Sequence, residues 1–211
     1  MNDATQMRRL FATELADVHT CLPGQIVSYD GVTAVVQPAL SKQLGSGAAL
    51  PAPQIFSVPI CWPCGDAGGG QAMITVPLKP GDAVVLHFSE RALENWLSGQ
   101  DGEPGDPRMF DLSDAFATPV CRPGRQQADP DNLVVTFAKA SITMSPSGEV
   151  AITAAGAASI TAPSGLTIDA DVKLNGKLDA TADVVAGGVS LMNHLTTGVM
   201  PGSGMSGKPQ Q

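Results

Sequence analysis

At 211 residues the chain is long enough for one or two domains, and it can bury a sizeable core only if its apolar residues are grouped. Charged residues are 15% against roughly 25% in an ordinary soluble domain, whereas Gly (23) and Pro (17) are abundant, which favours short strands and turns over a helical enzyme. The net charge of −8 argues against nucleic acid as a partner, because a phosphate backbone is held by clustered Lys and Arg.

No apolar run approaches the roughly 18 residues of a membrane-spanning helix. The first twenty residues hold no continuous apolar core of a secretory signal. The expectation is folding in the cytoplasm, with Cys21, Cys61, Cys64 and Cys121 reduced.

In chain order, Met7 to Val18 spaces Leu10, Phe11, Glu14, Leu15 and Val18 by threes and fours, which predicts a short amphipathic helix ending before Leu22-Pro23-Gly24. From Gln25 to about Arg122 the pattern is β. "QIVSYDGVTAVVQPAL" predicts strand, turn at Asp30-Gly31, strand, and "MITVPLKPGDAVVLHFSE" repeats that design with its turn at Lys79 to Asp82. The Gly- and Pro-rich segment between them predicts loop with a short edge strand, Gly68 to Gly70 included. A brief helix is expected at Glu90 to Leu97. Together these read as a small barrel of about five strands.

"CRPGRQQADPDN" reads as a linker. Beyond it, all eleven large aliphatic residues from Ile142 to Val184 fall on even numbers: Ile142, Met144, Val150, Ile152, Ile160, Leu166, Ile168, Val172, Leu174, Leu178 and Val184. Chance would give one parity on the order of once in a thousand, whereas the two-residue period of a strand gives it directly. One face is apolar and the other polar. Such a segment has too little other chain to cover its apolar face, so identical chains wound about a common axis are expected to bury it, in a closed cyclic oligomer. A single-chain β-solenoid is the rival. The parity slips at Val185, Val189 and Leu191, where Gly187 and Gly188 are expected to bend or end the strand.

Several residues invite chemistry. Cys61-Trp62-Pro63-Cys64 has the spacing of redox and zinc sites; zinc would recruit Cys21, Cys121 or His87, and the alternative is ordinary thiols. Asp111 and Asp114 are a formal acid–base pair, against which a turn or helix cap is the simpler reading. His19 and His87 stand alone, and the chain has no nucleophile elbow, zinc-protease or phosphate-loop motif.

The order of these motifs resembles the central spike, or membrane-puncturing protein, of contractile-tailed bacteriophages. "LPGQIVSYD", "VVQPAL", "VPICWPCG", "LKPGDAVVLHFSERALENWL" and "FDLSDAFATPV" look like the OB barrel heading these spikes, and the alternating segment with "SLMNHLTTGVMPGSGMSGKP" looks like shaft and tip. The resemblance covers nearly the whole chain. It implies an all-β homotrimer: an arm over residues 1–21, an OB-like barrel over 22–123, a linker over 124–132, an intertwined trimeric β-helix shaft over 133–189 and an apex over 190–211.

It also implies a virion protein with no catalysis, attached to the tail tube or baseplate hub and driven through the host outer membrane. The alternatives are a trimeric receptor-binding fibre tip and a metal-dependent enzyme. Many such spikes hold apical iron on a His-x-His pair; here His194 matches the first position and Thr196 replaces the second. Three copies of His194 are thus a candidate ligand set for iron or zinc. The competing expectation is a tip without metal, plugged by Leu195 and Met200.

Overall fold

The computed structural model describes residues 3–66, 68, 70–122, 124–195 and 202. The chain divides into two compact units, Met1–Thr153 and Ala154–Gln211. The division falls later than the linker expected at 124–132.

In the first unit α1 (Asp3–Ala16) is followed by β1 (Cys21–Tyr29), β2 (Thr33–Pro38), the small hairpin β3 (Lys42–Gln43) and β4 (Ala49–Leu50), and β5 (Ile55–Pro59). A second small hairpin, β6 (Cys64–Asp66) and β7 (Gln71–Met73), precedes β8 (Ala83–Phe88), α2 (Glu94–Leu97) and β9 (Ala115–Pro119). Five of these strands form one curled antiparallel sheet in the order β5-β2-β1-β8-β9. Its two edges meet in a parallel bridge, Ile60 to Ala117, where Cys61 N donates to Ala117 O at 2.8 Å. The register shifts between Ile26 and Ser28 in β1 and between Ala34 and Val36 in β2, and such bulges increase local twist and curl a sheet.

Alternation explains the core. Ala34 and Val36 of β2, Val84, Leu86 and Phe88 of β8, and Ala115 and Ala117 of β9 all point inward, against Ile26, Ile55 and Val58. Each fully buried Val, Leu or Ile contributes about 1.5–3 kcal/mol. Gly24 is required where β1 crosses this core: a Cβ there would lie 2.7 Å from Val36 Cγ1.

The turns follow their chemistry. The Asp30 carboxylate accepts hydrogen bonds from Val32 N (2.8 Å) and Thr33 N (2.7 Å), leaving Gly31 at φ 105°. At the second expected turn, Lys79 N donates to Asp82 Oδ2 at 2.6 Å. The strand predicted before that turn is a correction: Met73 pairs with Cys64 in the β6–β7 hairpin, and residues 74–78 form no strand against β8. Pro77 and Pro80 in "VPLKPGD" lack the amide N–H that a ladder needs. The helix expected at Glu90 to Leu97 shortens to α2, because Ser89 Oγ and Asp114 Oδ1 accept the amides of Arg91 and Leu93.

After the linker, β10 (Leu133–Phe137), β11 (Ala140–Met144) and β12 (Val150–Thr153) make an antiparallel three-stranded sheet. Its register aligns Val135, Ile142 and Ile152 in one row, and Leu133, Met144 and Val150 in the next. Directly opposed residues share a face, so these six side chains form one apolar surface, and all six are exposed.

In the second unit no strand lies between Thr153 and Val185, and Ile160, Leu166, Ile168, Val172, Leu174 and Leu178 are exposed. β13 (Val185–Ala186) and β14 (Val189–Ser190) then form a hairpin whose two-residue turn is Gly187-Gly188, both at positive φ. The parity slip is therefore a chain reversal, with glycines meeting the positive φ that a tight hairpin demands.

Candidate functional site

His194 follows the β13–β14 hairpin in a single turn. Asp183 Oδ1 accepts Met192 N at 3.0 Å, Leu191 N donates to Val184 O at 2.8 Å, and His194 N donates to Ser190 O at 3.1 Å. Hydrogen bonds from Ser190 and from the Met192 amide hold the Asp183 carboxyl below the usual carboxylate range. The His194 Nδ1 lies 3.1 Å from Ser190 O and 3.1 Å from Leu191 O. Both neighbours are acceptors, so Nδ1 carries a proton, which in the neutral ring leaves the lone pair on Nε2. That is the tautomer a metal-ligating histidine adopts when its other nitrogen is tied to backbone carbonyl. Thr196 and Met200, the rest of the expected tip, lie outside the described residues.

Among the described residues of one chain, no group of three or more His, Cys, Asp or Glu side chains is placed to hold a metal ion. Cys21 pairs with His87 across β1 and β8, and the structure does not gather them with Cys61 and Cys64 into such a group. Burial, with the neighbouring Cys64, pushes the Cys61 thiol up. This opposes the thiolate that redox or metal chemistry needs.

Asp111 and Asp114 are occupied by structural work. Ser113 donates from both Oγ (2.6 Å) and N (2.8 Å) to Asp111 Oδ1, and these bonds, helped by the charges of Arg108 and His19, hold the Asp111 carboxyl low. Asp114 is 3% exposed and accepts Arg108 Nε at 2.6 Å, Arg108 NH2 at 3.0 Å and Leu93 N at 2.9 Å. Arg108 also meets Glu94 and Asp106. This buried fork ties α2 and the long loop before β9 to the sheet. Sequence reasoning missed Arg108; the signal available was an acid, Asp114, directly before the alternation of β9.

The other two histidines pack against rings: His19 on Phe88 at 5.5 Å and His87 on Phe116 at 5.2 Å. Three open grooves of the first unit have volumes of about 470–540 Å³ and mainly apolar walls. Among the described residues no helix is long and apolar enough to cross a membrane.

The matched span of the comparison with protein families runs through the whole curled sheet. Residues 22–120 match the phage protein Gp138 N-terminal domain. The match covers a little under half of the chain, from the second residue of β1 to just beyond β9. No curated protein matches the chain. Similarity of this segment to the Gp138 domain supports a β-rich, virion-associated structural protein of phage origin.

Proposed function

We propose that the chain is the subunit of a homotrimeric central spike on a contractile phage tail. Its N-terminal domain docks on the tail tube or baseplate hub, and its shaft and tip pierce the host outer membrane mechanically, without catalysis. The observation that carries this reading is the uncovered apolar face of β10–β12; in the second unit, Ile160, Leu166, Ile168, Val172, Leu174 and Leu178 are exposed as well. Contiguous apolar patches of this kind mark interaction surfaces. Burying them against two further copies satisfies every chain equally under a closed three-fold axis. In the shaft reading, residues 154–184 take up strands only when the neighbouring chains supply partners for their backbone groups.

The similarity to the Gp138 domain supports the phage setting. The strand order β5-β2-β1-β8-β9, with its parallel approach of β5 and β9, supports an OB barrel. At the tip, three His194 Nε2 atoms are the proposed nitrogen donors for one iron or zinc ion, with water completing the shell; a metal there would act as a structural clamp.

Light scattering of the full chain tests the reading. A mass three times that of one chain is expected. A folded, monodisperse monomer would overturn it.

A further inference from the structure

α1 is bare. None of its residues is buried, and Met7, Leu10, Phe11 and Leu15, with Val18 just beyond, are 43–70% exposed along one side. The chain immediately after it is anchored. Lys42 Nζ donates to Ala16 O at 3.2 Å and lies 3.6 Å from Asp17 Oδ1, and His19 N donates to Phe110 O at 3.2 Å. Phe110 accepts this bond from a left-handed backbone, φ 53°, a conformation that costs free energy for a bulky residue. Beside this anchor lies a groove of about 540 Å³ whose walls include Leu22, Leu40, Leu50, Pro53 and Leu112. Ala16 and Asp17 form its lip, but neither Phe11 nor Leu15 enters it.

One domain thus presents an apolar ridge and an apolar groove that do not fill each other. Laying the ridge in its own groove would require the helix to fold back at Asp17, breaking both Lys42 contacts. A helix of 14 residues extends about 21 Å from its anchor, far enough to reach an adjoining domain.

Area points to the occupant. Five large side chains, on average more than half exposed, present on the order of 500 Å², at the upper end of the largest patch on ordinary monomers. Each ridge-in-groove contact would bury about 500 Å² per partner, about 1,000 Å² in all, which reaches the threshold of a specific interface, and a ring of three copies makes three of them. Such a head-to-tail contact closes into a ring under three-fold rotation.

We propose that α1 of each copy lies in the Leu22–Leu40–Leu50–Leu112 groove of the next copy, so that three helices girdle the N-terminal domains. The girdle rests on the trimeric reading above and adds a contact that the shaft does not supply.

The test uses the full chain with Cys21, Cys61, Cys64 and Cys121 replaced by serine and carrying Phe11→Cys and Leu40→Cys. Isotopically heavy and light subunits are mixed, refolded together and oxidised with copper-phenanthroline, each disulfide releasing two protons and passing two electrons to that oxidant. A covalent trimer with heavy–light linkage of positions 11 and 40 is expected. A cross-link confined to single chains, or none in a protein that light scattering shows to be trimeric, overturns the girdle alone. A monomer overturns both the girdle and the trimer.

A second measurement leaves the native cysteines in place. Phe11→Asp and Leu40→Asp should each raise the rate of proteolytic release of α1 about tenfold, and the double variant no further, because they cut the same contact from opposite sides. Multiplicative rates in the double variant would contradict the girdle.

Discussion

Ile152→Asp separates the proposed assembly from an isolated chain. In the single chain Ile152 is 73% exposed, so a carboxylate there meets water and the fold of the monomer is unaffected. The same position lies in the row Val135–Ile142–Ile152, which the proposed trimer turns towards its axis. Each copy then loses about 1.5–3 kcal/mol of aliphatic burial. With three unpaired carboxylates forced together in a dry interface, the total is on the order of 10 kcal/mol per trimer. That is comparable with the whole margin of about 5–15 kcal/mol by which folded proteins are stable. Ala151→Asp, one residue away on the opposite face, is the control and should change little. The assay is light scattering over a dilution series, with circular dichroism to confirm that the curled sheet stays folded. Trimers of unchanged stability carrying Ile152→Asp would refute the placement of this face at an interface.

Gly24→Ala should destabilise the N-terminal domain by about 1–3 kcal/mol in chemical denaturation, because the new methyl meets Val36 in a filled core. Asp114→Ala leaves Arg108 and the Leu93 amide without their acceptor and should cost about 1–3 kcal/mol, read in the same experiment. Asp183 has a depressed folded pKa, so its contribution is present above the ordinary Asp pKa of about 4 and is lost as pH falls through the folded value. Protection of the Met192 amide, measured against its intrinsic exchange rate at each pH, should therefore fall below about pH 4 in the native chain, and Asp183→Asn should show no such step. Elemental analysis of chelator-washed protein should find about one metal per trimer if His194 is a ligand, and His194→Ala should remove it; no stoichiometric metal with an ordered tip would assign the apex to apolar packing.

The features read best from sequence were those with a local cause. Strand-forming runs placed β1, β2 and β8, and Asp-Gly and Pro-Gly-Asp marked their turns, whereas the inward set Ala34, Val36, Val84, Leu86 and Phe88 emerged with the fold. The parity of Ile142, Met144, Val150 and Ile152 emerged as a single sheet face. Periodicity says nothing of pairing partners, however. Residues 74–78 looked like half of a hairpin, yet Met73 is matched to Cys64, ten residues before Ile74. Long-range polar contacts were hidden as well: Arg108 and Asp114 are six apart on an irregular loop, and only the fold makes their fork visible. For His194 the resemblance to the spike family gave the residue, and the backbone turn from Ser190 places two carbonyl acceptors at its Nδ1.

Electron microscopy of the intact phage particle tests the central claim most directly. The account predicts a three-fold, tapering density at the distal end of the tail tube, lost when this chain is deleted and labelled when a tag is placed on its N-terminal domain at the hub end. Finding the label on lateral fibres, or an unaltered tail tip without the chain, would contradict it.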